Sequence, residues 1–471
     1  MKLLFNDVLR RGRENFPDRV AVTAADGNIS YYDLDVLSNG IASLLLSKGA
    51  RPKDRIALCM SNFSLWIYAF FGIIKAGCTA VLINSYAEQK DKKELASFSR
   101  CRFYLCKTGD SPELSGTEAI ELDSGISPLE SFDSRPLKGK QTAVIIFTSG
   151  TTTSPKGVCL SQRALLCNAK ALTRSFGKYH GEKICLALPL FHSFGLQVAL
   201  SYLYMGETVC LPEKINGDCI GRLLKKEKIT DITGVPTVFE GLKNTLSNDV
   251  AKSLGFCIVG GSNVGEELTK KLMGKFSNAQ ILVGYGLSEN SPVVSCLAAK
   301  DRHLDSVGKP IKGVGVKIKN GEITVFGKCV MNGYLQKDGS ISPPAKGVVL
   351  TGDLGHFSPD KYLYIDGRIK QIIIKGGENI SAEKIEKAAL YCGACEAAAV
   401  AIPDEIFGEN IALFAVKEGQ NDFDTRQFEN ELSKVLSRFE MPKIILPLAQ
   451  IPKTPSGKTD TEKLRKILKD K

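Results

Sequence analysis

The sequence predicts an α/β protein of layered sheets and helices, and two regularities of the chain lead to that prediction. Short apolar, β-branched segments alternate with helix-like stretches over most of the 471 residues. Such alternation is typical of parallel strands joined by crossover helices. Residues 313–326 instead alternate in polarity between glycines, which predicts antiparallel strands and a small β subdomain before residue 360.

The predicted elements follow one another regularly. Residues 55–60 (RIALCM) indicate a strand, residues 62–77 a buried helix and residues 79–83 a second strand. Helical stretches such as 219–226 separate further predicted strands, which are 184–188, 208–211, 256–259 and 280–283. The apolar run 65–74 is too short to span a bilayer, so we expect no transmembrane segment.

The last part of the chain predicts a separate small domain. Helices are expected at 381–390 and 424–436, with a strand at 397–402. About a hundred residues suffice for an α+β domain. We therefore predict a large N-terminal domain, residues 1–369, with layered α/β subdomains and the β subdomain. A small α+β C-terminal domain, residues 370–471, follows a boundary near Lys370.

Composition restricts the class of protein. A hydrophobic content of 43% with 24% charged residues is typical of a soluble globular protein. Fourteen cysteines without paired spacing indicate free thiols and a cytoplasmic location. The lone CGAC at Cys392 and Cys395 is better explained by small residues at a helix end than by redox or metal chemistry.

The net charge of +11 indicates a negatively charged partner. It suits a polyanionic small molecule, an acidic carrier protein or an anionic membrane surface. The excess is spread along the chain, and basic runs such as residues 225–228 are typical of solvated helix faces. No nucleic-acid partner is therefore expected.

Residues 147–160 (FTSGTTTSPKGVCL) offer the groups that a polyphosphate requires. Hydroxyl residues surround Gly150, Lys156 follows, and a buried strand is predicted directly before, at 142–147. Backbone N–H groups, hydroxyls and an ammonium all bind phosphate oxygens. The spacing differs from that of the P-loop, and by itself the segment could also be a surface turn rich in Ser and Thr.

Three further segments carry weaker signals. Residues 284–286 (GYG) predict a turn whose ring can lie against a planar base, with Glu289 nearby as a magnesium ligand. Asp353, at the predicted end of a strand, can accept both hydroxyls of a ribose. Residues 453–458 (KTPSGK) place Lys458 on a loop as a mobile point charge. Taken alone, the first segment is explained as well by a tight turn with a packed Tyr. The second is better explained by a helix or turn cap, and the third by a surface loop.

Taken together, these segments resemble the adenylate-forming superfamily: acyl- and aryl-CoA synthetases, luciferases and the adenylation domains of nonribosomal peptide synthetases. The resemblance covers nearly the whole chain. Its motifs are the phosphate loop at 148–157, PLFHSFGL at 189–196, GGS at 260–262, YGLSE at 285–289, TGD at 351–353, DGRIKQIIIKGGENISAEKIE at 366–386 and PKTPSGK at 452–458.

The resemblance implies two half-reactions. A carboxylate first attacks the α-phosphate of ATP·Mg²⁺ and gives an acyl-adenylate and pyrophosphate. A thiol then attacks the acyl carbon and releases AMP. The mobile C-terminal domain would rotate about a hinge at Lys370 between the two steps. Lys458 would serve the first step, and residues 375–379 would face the site in the second.

The resemblance also assigns roles residue by residue. The phosphate loop would contribute Thr148, Ser149, Gly150, Thr151, Thr152 and Lys156. The adenine would be framed by Gly261, Ser262 and Tyr285, and the ribose held by Asp353 and Arg368. Glu289 would bind Mg²⁺, Ser288 would lie near the α-phosphate, and Lys458 would bridge the α-phosphate and the substrate carboxylate.

The chain departs from the family's pattern at three positions. Thr153 stands where Gly is usual, which restricts the loop backbone. Ser288 replaces Thr but keeps the hydroxyl, and Ala382 replaces a common Pro. None of these removes a catalytic group, so we expect an active enzyme.

His192 indicates the class of acid. Amino-acid-activating members commonly place an Asp near this position, whereas His192 resembles the gate residue of acyl- and aryl-CoA ligases. We therefore expect an acid without an α-amine, although a structural His in a turn is the alternative. The expected pocket, which suits an acyl chain or aromatic ring, comprises Phe191, His192, Phe194, Val235, Phe239, Gly284 and Gly286.

Three functions remain open. The leading hypothesis is an acyl-CoA synthetase, as in fatty acid metabolism, because GGEN at 376–379 resembles fatty-acyl-CoA ligases. The second is a freestanding ligase that loads the phosphopantetheine of a carrier protein, which the basic surface also suits. The third is a non-catalytic nucleotide- or acyl-binding protein, which the presence of Glu289 and Lys458 disfavours.

Overall fold

The structure is a computed structural model that describes residues 4–112, 114, 116–123, 125–134, 137–148, 156–177, 181–262, 264–298, 303–416, 424–453 and 459–469. The helices are α1 Phe5–Asn15, α2 Tyr31–Ser47, α3 Ser64–Lys75, α4 Gln89–Phe98, α5 Gln162–Ser175, α6 Ser193–Met205, α7 Gly217–Lys226, α8 Pro236–Thr245, α9 Asn248–Ser253, α10 Glu266–Lys275, α11 Ala382–Tyr391, α12 Thr425–Val435 and α13 Thr461–Lys469.

The strands are β1 Val20–Ala24, β2 Gly27–Ser30, β3 Arg55–Leu58, β4 Thr79–Leu82, β5 Phe103–Lys107, β6 Glu118–Leu122, β7 Thr142–Thr148, β8 Lys156–Ser161, β9 Lys183–Ala187, β10 Thr208–Cys210, β11 Asp231–Gly234, β12 Phe256–Gly260, β13 Gln280–Gly286, β14 Val293–Ala298, β15 Lys309–Pro310, β16 Val314–Lys319, β17 Glu322–Gly327, β18 Gly333–Leu335, β19 Ile341–Ser342, β20 Val348–Phe357, β21 Leu363–Arg368, β22 Ile372–Lys375, β23 Glu378–Ser381, β24 Glu396–Asp404, β25 Gly408–Val416 and β26 Ile444–Pro447. Three-residue 3₁₀ turns lie at Ser288–Asn290, Ala345–Gly347 and Ile369–Gln371.

These strands form mixed sheets. A nine-stranded sheet has the order β15-β14-β13-β12-β11-β9-β10-β1-β2, and an eight-stranded sheet the order β19-β18-β8-β7-β4-β3-β5-β6. A four-stranded sheet runs β16-β17-β20-β21, and a fifth strand, β26, pairs with β25 of the sheet β23-β22-β25-β24. The predicted α/β class with its additional small domain is therefore confirmed.

The chain divides into two compact units. The first comprises Met1–Lys317, Thr324–Val349 and Pro359–Leu363, and the second comprises Ile318–Ile323, Leu350–Ser358 and Tyr364–Lys471. The predicted hinge at Lys370 and the boundary drawn there stay predictions.

In the first unit, the strands β3, β4, β5 and β7 run parallel in the eight-stranded sheet. Their central residues are buried because helices cover the sheet, as is usual for parallel strands. Helix α3 is buried along its whole length. Its first turn is capped by Asp26, which accepts the N–H groups of Ser64 at 3.0 Å and Leu65 at 3.2 Å.

In the second unit, helices pack on both faces of the five-stranded sheet. On one face, Ile385 of α11 and Phe428 and Leu432 of α12 form a core with Leu413 of β25. On the other face, Leu464 of α13 packs with Phe414. Alternate residues of β25 therefore serve two cores, as the pleat of a strand requires.

Two local expectations were wrong. Residues 284–286 form the end of β13, not a turn, because Gly284, Tyr285 and Gly286 pair with Cys296, Ser295 and Val293 of β14. Likewise, β20 continues through Asp353 to Phe357 instead of ending before it. The pairing of β13 with β14, and of β20 with β17 and β21, keeps these residues in strands although the local glycines suggest a break.

All fourteen cysteines are described, and all are free thiols. Burial raises the pKa of several of them, for example that of Cys101 to about 12. Such buried thiols are poor nucleophiles. Within the described ranges, no helix is both long and apolar enough to cross a membrane.

Glu386 is a half-buried residue of α11 in the second unit. Its Oε1 accepts the N–H of Ala399 at 2.9 Å. Burial raises its pKa from 4.5 to about 7, and Glu383 raises it further, while the Ala399 N–H and the cations of Lys453 and Lys387 lower it. Near neutral pH the folded protein therefore holds a proton that the unfolded chain releases.

We expect the free energy of unfolding to fall as pH rises from about 4.5 to about 7, by about 3 kcal/mol in total. Between these pH values the Glu386 carboxyl group keeps its proton in the folded protein but loses it in the unfolded chain. The unfolded state is therefore increasingly favoured as the pH rises through this range. Glu386→Gln should abolish this dependence and be more stable than the parent at pH 8. Urea unfolding at pH 5, 6, 7 and 8 measures both effects. Glu429→Gln, at an exposed position on α12 of the same unit, is the control, and equal slopes in the two variants would refute the assignment.

Candidate active site

The predicted phosphate loop connects two paired strands. β7 ends at Thr148 and β8 begins at Lys156, and these two residues are paired across the antiparallel ladder. The loop residues Ser149, Gly150, Thr151, Thr152 and Thr153 lie outside the described residues. The structure thus fixes the two ends of the loop: half-buried Thr148 on one side and exposed Lys156 on the other.

Lys156 lies beside an aromatic ring that no motif in the sequence indicates. Strand β18 pairs with β8, and this pairing sets Tyr334 opposite Val158. The Nζ of Lys156 is 5.2 Å from the centre of the Tyr334 ring. The Tyr334 hydroxyl donates a hydrogen bond to Oε1 of Glu289 at 2.8 Å. One side chain therefore contacts both a predicted phosphate ligand and the predicted magnesium ligand.

Burial and the neighbouring charge of Glu289 raise the pKa of Tyr334. The hydroxyl stays protonated at neutral pH and remains a donor to the carboxylate. No spacing in the sequence connects residues 289 and 334. The main-chain N–H of Met331 also donates to the carbonyl of Glu289, at 2.8 Å, so the backbone holds the two segments together as well.

The turn that carries Glu289 is held by a buried amide. Asn168 of α5 is fully buried and donates from Nδ2 to the carbonyl oxygens of Asn290 at 3.2 Å and Val293 at 2.8 Å. Its Oδ1 accepts the N–H of Val293 at 3.3 Å. A side chain more than a hundred positions earlier in the chain thus fixes the 3₁₀ turn Ser288–Asn290.

Ser288 lies beside the segment that contains His192. The Oγ atoms of Ser288 and Ser193 are 2.8 Å apart, and Ser193 is the first residue of α6, directly after the N-cap His192. The ring centres of His192 and Phe191 are 4.5 Å apart. The structure therefore brings two predicted catalytic residues, Ser288 and His192, into one neighbourhood of the first unit.

The turn before α6 is fixed by Asn62. Its Nδ2 donates to the carbonyl of Leu188 at 2.7 Å, and its Oδ1 accepts the N–H of Leu190 at 2.9 Å. Gly195 lies against the same turn, since a Cβ there would come within 2.2 Å of the Pro189 carbonyl oxygen. Backbone packing thus requires glycine at this position.

The predicted adenine and acid residues adjoin one another. Gly260 at the end of β12 pairs with Gly284 of β13. A Cβ on Gly261 would lie 3.2 Å from Cγ1 of Val235, and one on Gly260 would lie 3.4 Å from the Phe194 ring. Phe194 and Val235, expected in the acid pocket, therefore border Gly261, which is expected at the adenine.

The remaining residues predicted for the acid pocket and the adenine range from buried core to exposed surface. Phe239 lies in the core with its ring 6.0 Å from that of Phe276, and it lines a small cavity beside α10 that none of the other predicted pocket residues lines. Gly286 is required by close packing, because a Cβ there would lie 2.2 Å from the Pro292 carbonyl oxygen. Ser262 is exposed, and Tyr285 is half-buried on β13.

In the second unit, the two predicted ribose ligands are paired with each other. Arg368 donates from Nε to Oδ1 of Asp353 at 2.8 Å, and Asp353 is only 3% exposed. The Asp353 N–H donates to Oγ1 of Thr351 at 3.0 Å, and that hydroxyl donates to the Ile323 carbonyl at 2.8 Å. The Asp353 carboxylate is therefore held in one orientation.

The remaining predictions concern the segments 375–379 and 453–458. Lys375 is buried, donates to the Met441 carbonyl at 3.1 Å, and burial lowers its pKa. Lys453 forms a β-bridge with Thr459 and an ion pair with Glu396 at 3.5 Å. Lys458 lies outside the described residues, and so does the side chain of Lys370.

Two family models match the chain. The AMP-binding enzyme model matches residues 9–335, and the model of the AMP-binding enzyme C-terminal domain matches residues 384–458. The first includes β7, β8 and the phosphate loop between them (together the phosphate hairpin), as well as Glu289 and Tyr334, and the second ends at Lys458.

Curated relatives and solved structures resemble the chain over nearly its full length. An uncharacterized acyl–CoA ligase, YhfT of Bacillus subtilis, is 29% identical over 97% of each chain. The o-succinylbenzoate CoA synthetase of Bacillus subtilis, solved with its acyl-adenylate intermediate, superposes with a TM-score of 0.88 at 24% identity and 98% coverage of both chains. Its structure with ATP and magnesium gives 0.86 at 23% identity, covering 97% of this chain and 99% of that one. These structural matches show the shared fold.

Gly195→Ala should lower the free energy of unfolding by about 2 kcal/mol, because the new methyl group collides with backbone that Asn62 holds in place. Urea unfolding measures the change. Gly241→Ala in α8 is the matched control: its Cβ would meet nothing within 4 Å, so stability should stay equal or rise by about 0.5–1 kcal/mol. Equal stability of the two variants would show that the turn yields freely.

Proposed function

The chain belongs to the AMP-binding enzyme family, and on that premise we propose that it activates a carboxylic acid with ATP and transfers the acyl group to a thiol. It is an AMP-forming acid–thiol ligase of the acyl-CoA synthetase type. One observation in the structure carries the proposal: Tyr334 contacts both Lys156 and Glu289. It does so beside the end of the β7–β8 ladder from which the hydroxyl-rich loop extends.

The first unit supplies groups for the triphosphate. Lys156 provides positive charge at the end of the hairpin, and the loop provides hydroxyl and N–H donors for phosphate oxygens. Glu289 presents a single carboxylate, which fits Mg²⁺ because this ion commonly takes one or two protein carboxylates and completes its shell with phosphates and water. When bound, Mg²⁺ would neutralise charge on the phosphate oxygens. Tyr334 keeps the carboxylate in place.

The second unit supplies a carboxylate for the ribose. Asp353 is nearly buried, and Arg368 holds it by a charged hydrogen bond. A carboxylate can accept hydrogen bonds from vicinal hydroxyls. In the first unit, Gly261, Ser262 and Tyr285 are proposed to contact the adenine.

The proposed reaction consists of two displacement steps. A carboxylate oxygen of the acid attacks the α-phosphorus, the bond to the bridging oxygen breaks, and pyrophosphate leaves with the electron pair. A thiolate then attacks the acyl carbon, the carbon–oxygen bond to the nucleotide breaks, and AMP leaves. Positive charge near the α-phosphate, proposed for Lys458, is needed mainly in the first step.

We propose an acid without an α-amine and coenzyme A as the acceptor. The Phe191 ring lies beside that of His192, and Phe194 and Val235 lie beside Gly261. These apolar side chains suit an acyl or aryl group. The curated relative described above is named an acyl–CoA ligase, which favours coenzyme A over a carrier protein.

ATP–pyrophosphate exchange with fatty, aryl and amino acids tests the proposal. Exchange that depends on a fatty or aryl acid, followed by acyl-CoA formation when coenzyme A is added, is the expected result. Exchange without acyl-CoA formation would assign the acceptor to a carrier protein. If no acid supports exchange, the ligase assignment fails and a binding protein remains.

Lys458→Ala should reduce adenylate formation by about two to three orders of magnitude, because the cation acts on charge that develops on the phosphate. Thiol transfer from a supplied acyl-adenylate should change little. Both half-reactions are measured separately, with Lys463→Ala on α13 as the control. Equal losses in the two half-reactions would contradict a role in one step only.

Tyr334→Phe should lower kcat/KM for ATP by about tenfold, since the variant removes one hydrogen bond to a charged group but keeps the ring over Lys156. The Mg²⁺ concentration for half-maximal exchange should rise, which a purely structural role of the hydroxyl would not cause. Tyr391→Phe, on a side chain that is 81% exposed, is the control. An unchanged Mg²⁺ dependence would remove Tyr334 from the metal site.

A further inference from the structure

A basic cleft in the first unit has no role in the proposed reaction. It is open to solvent and has a volume of about 290 Å³. Its lining residues are Lys53, Asp54, Arg55, Arg100, Arg102, Asp338 and Gly339. Four cations and two carboxylates therefore meet in one concave surface.

The cleft cations lie at the amino ends of parallel strands in the eight-stranded sheet, whereas the phosphate loop follows the carboxyl end of one of them. Arg55 is the first residue of β3, and Arg102 directly precedes β5. Both strands run parallel to β7 within the sheet, and the phosphate loop follows the carboxyl end of β7 at Thr148. Amino ends and carboxyl ends of parallel strands lie at opposite edges, so the two sets of cations are separate.

The two carboxylates are already engaged. Asp54 forms an ion pair with Nη1 of Arg102 at 3.2 Å and accepts the N–H of Arg51 at 2.8 Å. Asp338 accepts the N–H of Ser340 at 2.9 Å and its hydroxyl at 2.7 Å. Four cations against two carboxylates leave an excess of two positive charges in the cleft.

Arg55 shows the excess most clearly. Its guanidinium is half-buried and donates to the carbonyl oxygens of Ser99 at 3.0 Å and Gly339 at 2.6 Å. Among the described residues, no carboxylate forms an ion pair with it. A partly desolvated cation without a counter-ion costs free energy, which a bound anion would recover. Two of its five N–H donors are used by these carbonyls, and others are available.

Arg100 adds a second guanidinium to the cleft. It donates from Nη2 to the carbonyl of Lys337 at 3.2 Å, and its side chain is exposed. Arginine forks match the geometry of phosphate oxygens, and a lysine such as Lys53 adds a point charge. The cleft approaches the lower limit of small-molecule sites, about 300 Å³.

We propose that this cleft binds a small anion that carries a phosphate group, independently of the ligase reaction. Arg55 and Arg100 bind the phosphate oxygens, and Lys53 adds charge at the rim. Because the sites lie at opposite edges of one sheet, the anion in this cleft is neither the ATP nor the pyrophosphate of the proposed reaction.

The backbone offers a test that removes charge without straining the fold. Lys53 has φ 75° and Arg100 has φ 52°, a left-handed conformation that glycine adopts more readily. Arg100 also follows the C-cap Ser99 of α4, where glycine commonly terminates a helix. The double variant Lys53→Gly/Arg100→Gly should therefore fold at least as well as the parent.

A matched control removes the same charge elsewhere. Lys228 has φ 50° and Lys346 has φ 53°, and neither lines the cleft. Thermal unfolding midpoints are recorded for the parent and both double variants against increasing inorganic phosphate, with ionic strength held constant by sodium chloride. Phosphate bound only to the folded protein raises the midpoint in a saturable way.

The parent and the control Lys228→Gly/Lys346→Gly are expected to share one half-saturating phosphate concentration, and the cleft variant to need a concentration at least roughly tenfold higher. Acid-dependent pyrophosphate exchange in chloride buffer should be unchanged in the cleft variant. Identical phosphate dependence in all three proteins would overturn the proposal, because the anion would then act only outside the cleft. Failure of the ligase assay leaves this outcome unaffected.

Discussion

The site of the first unit depends on the register of one strand hairpin. Thr148 pairs with Lys156, and β8 then forms the ladder on which β18 lies. Because side chains alternate across a strand, a shift of one residue in either pairing would turn Tyr334 to the opposite face of the sheet. Its contacts with both Lys156 and Glu289 would then be lost. The register of the strand pairing thus determines which charged side chains lie next to each other.

The same dependence explains which parts of the structure could be predicted from sequence. Continuous apolar runs in the sequence predict strands such as β3, β4 and β7, and a longer apolar run predicts the buried helix α3. These signals are local to each segment. The register between distant segments has no local signal. Tyr334 and Asn168 were missed for that reason, although one contacts Glu289 and the other holds the turn that carries it.

The glycines show a related limit. The Gly-aromatic-Gly pattern of residues 284–286 predicts a turn, yet these residues lie in a paired strand. Gly286 and Gly195 are needed because carbonyl oxygens of Pro292 and Pro189 lie where a Cβ would be. Sequence shows that a small residue is present. Only the fold shows whether it serves rotation or close packing, and here it serves packing next to the predicted site residues.

The distribution of positive charge, like the role of the glycines, becomes apparent only in the fold. The excess of +11 looks evenly spread along the chain, and individual basic residues resemble an ordinary solvated surface. The fold collects Lys53, Arg55, Arg100 and Arg102 at the amino ends of two parallel strands, and a turn at Gly339 closes the cleft from a distant part of the chain. Parallel strands conventionally offer their carboxyl ends to ligands. In this sheet the amino ends of the strands also carry an excess of positive charge. The two ends of the parallel strands are therefore electrostatically distinct sites, and the net charge of the chain does not tell which of them binds a given anion.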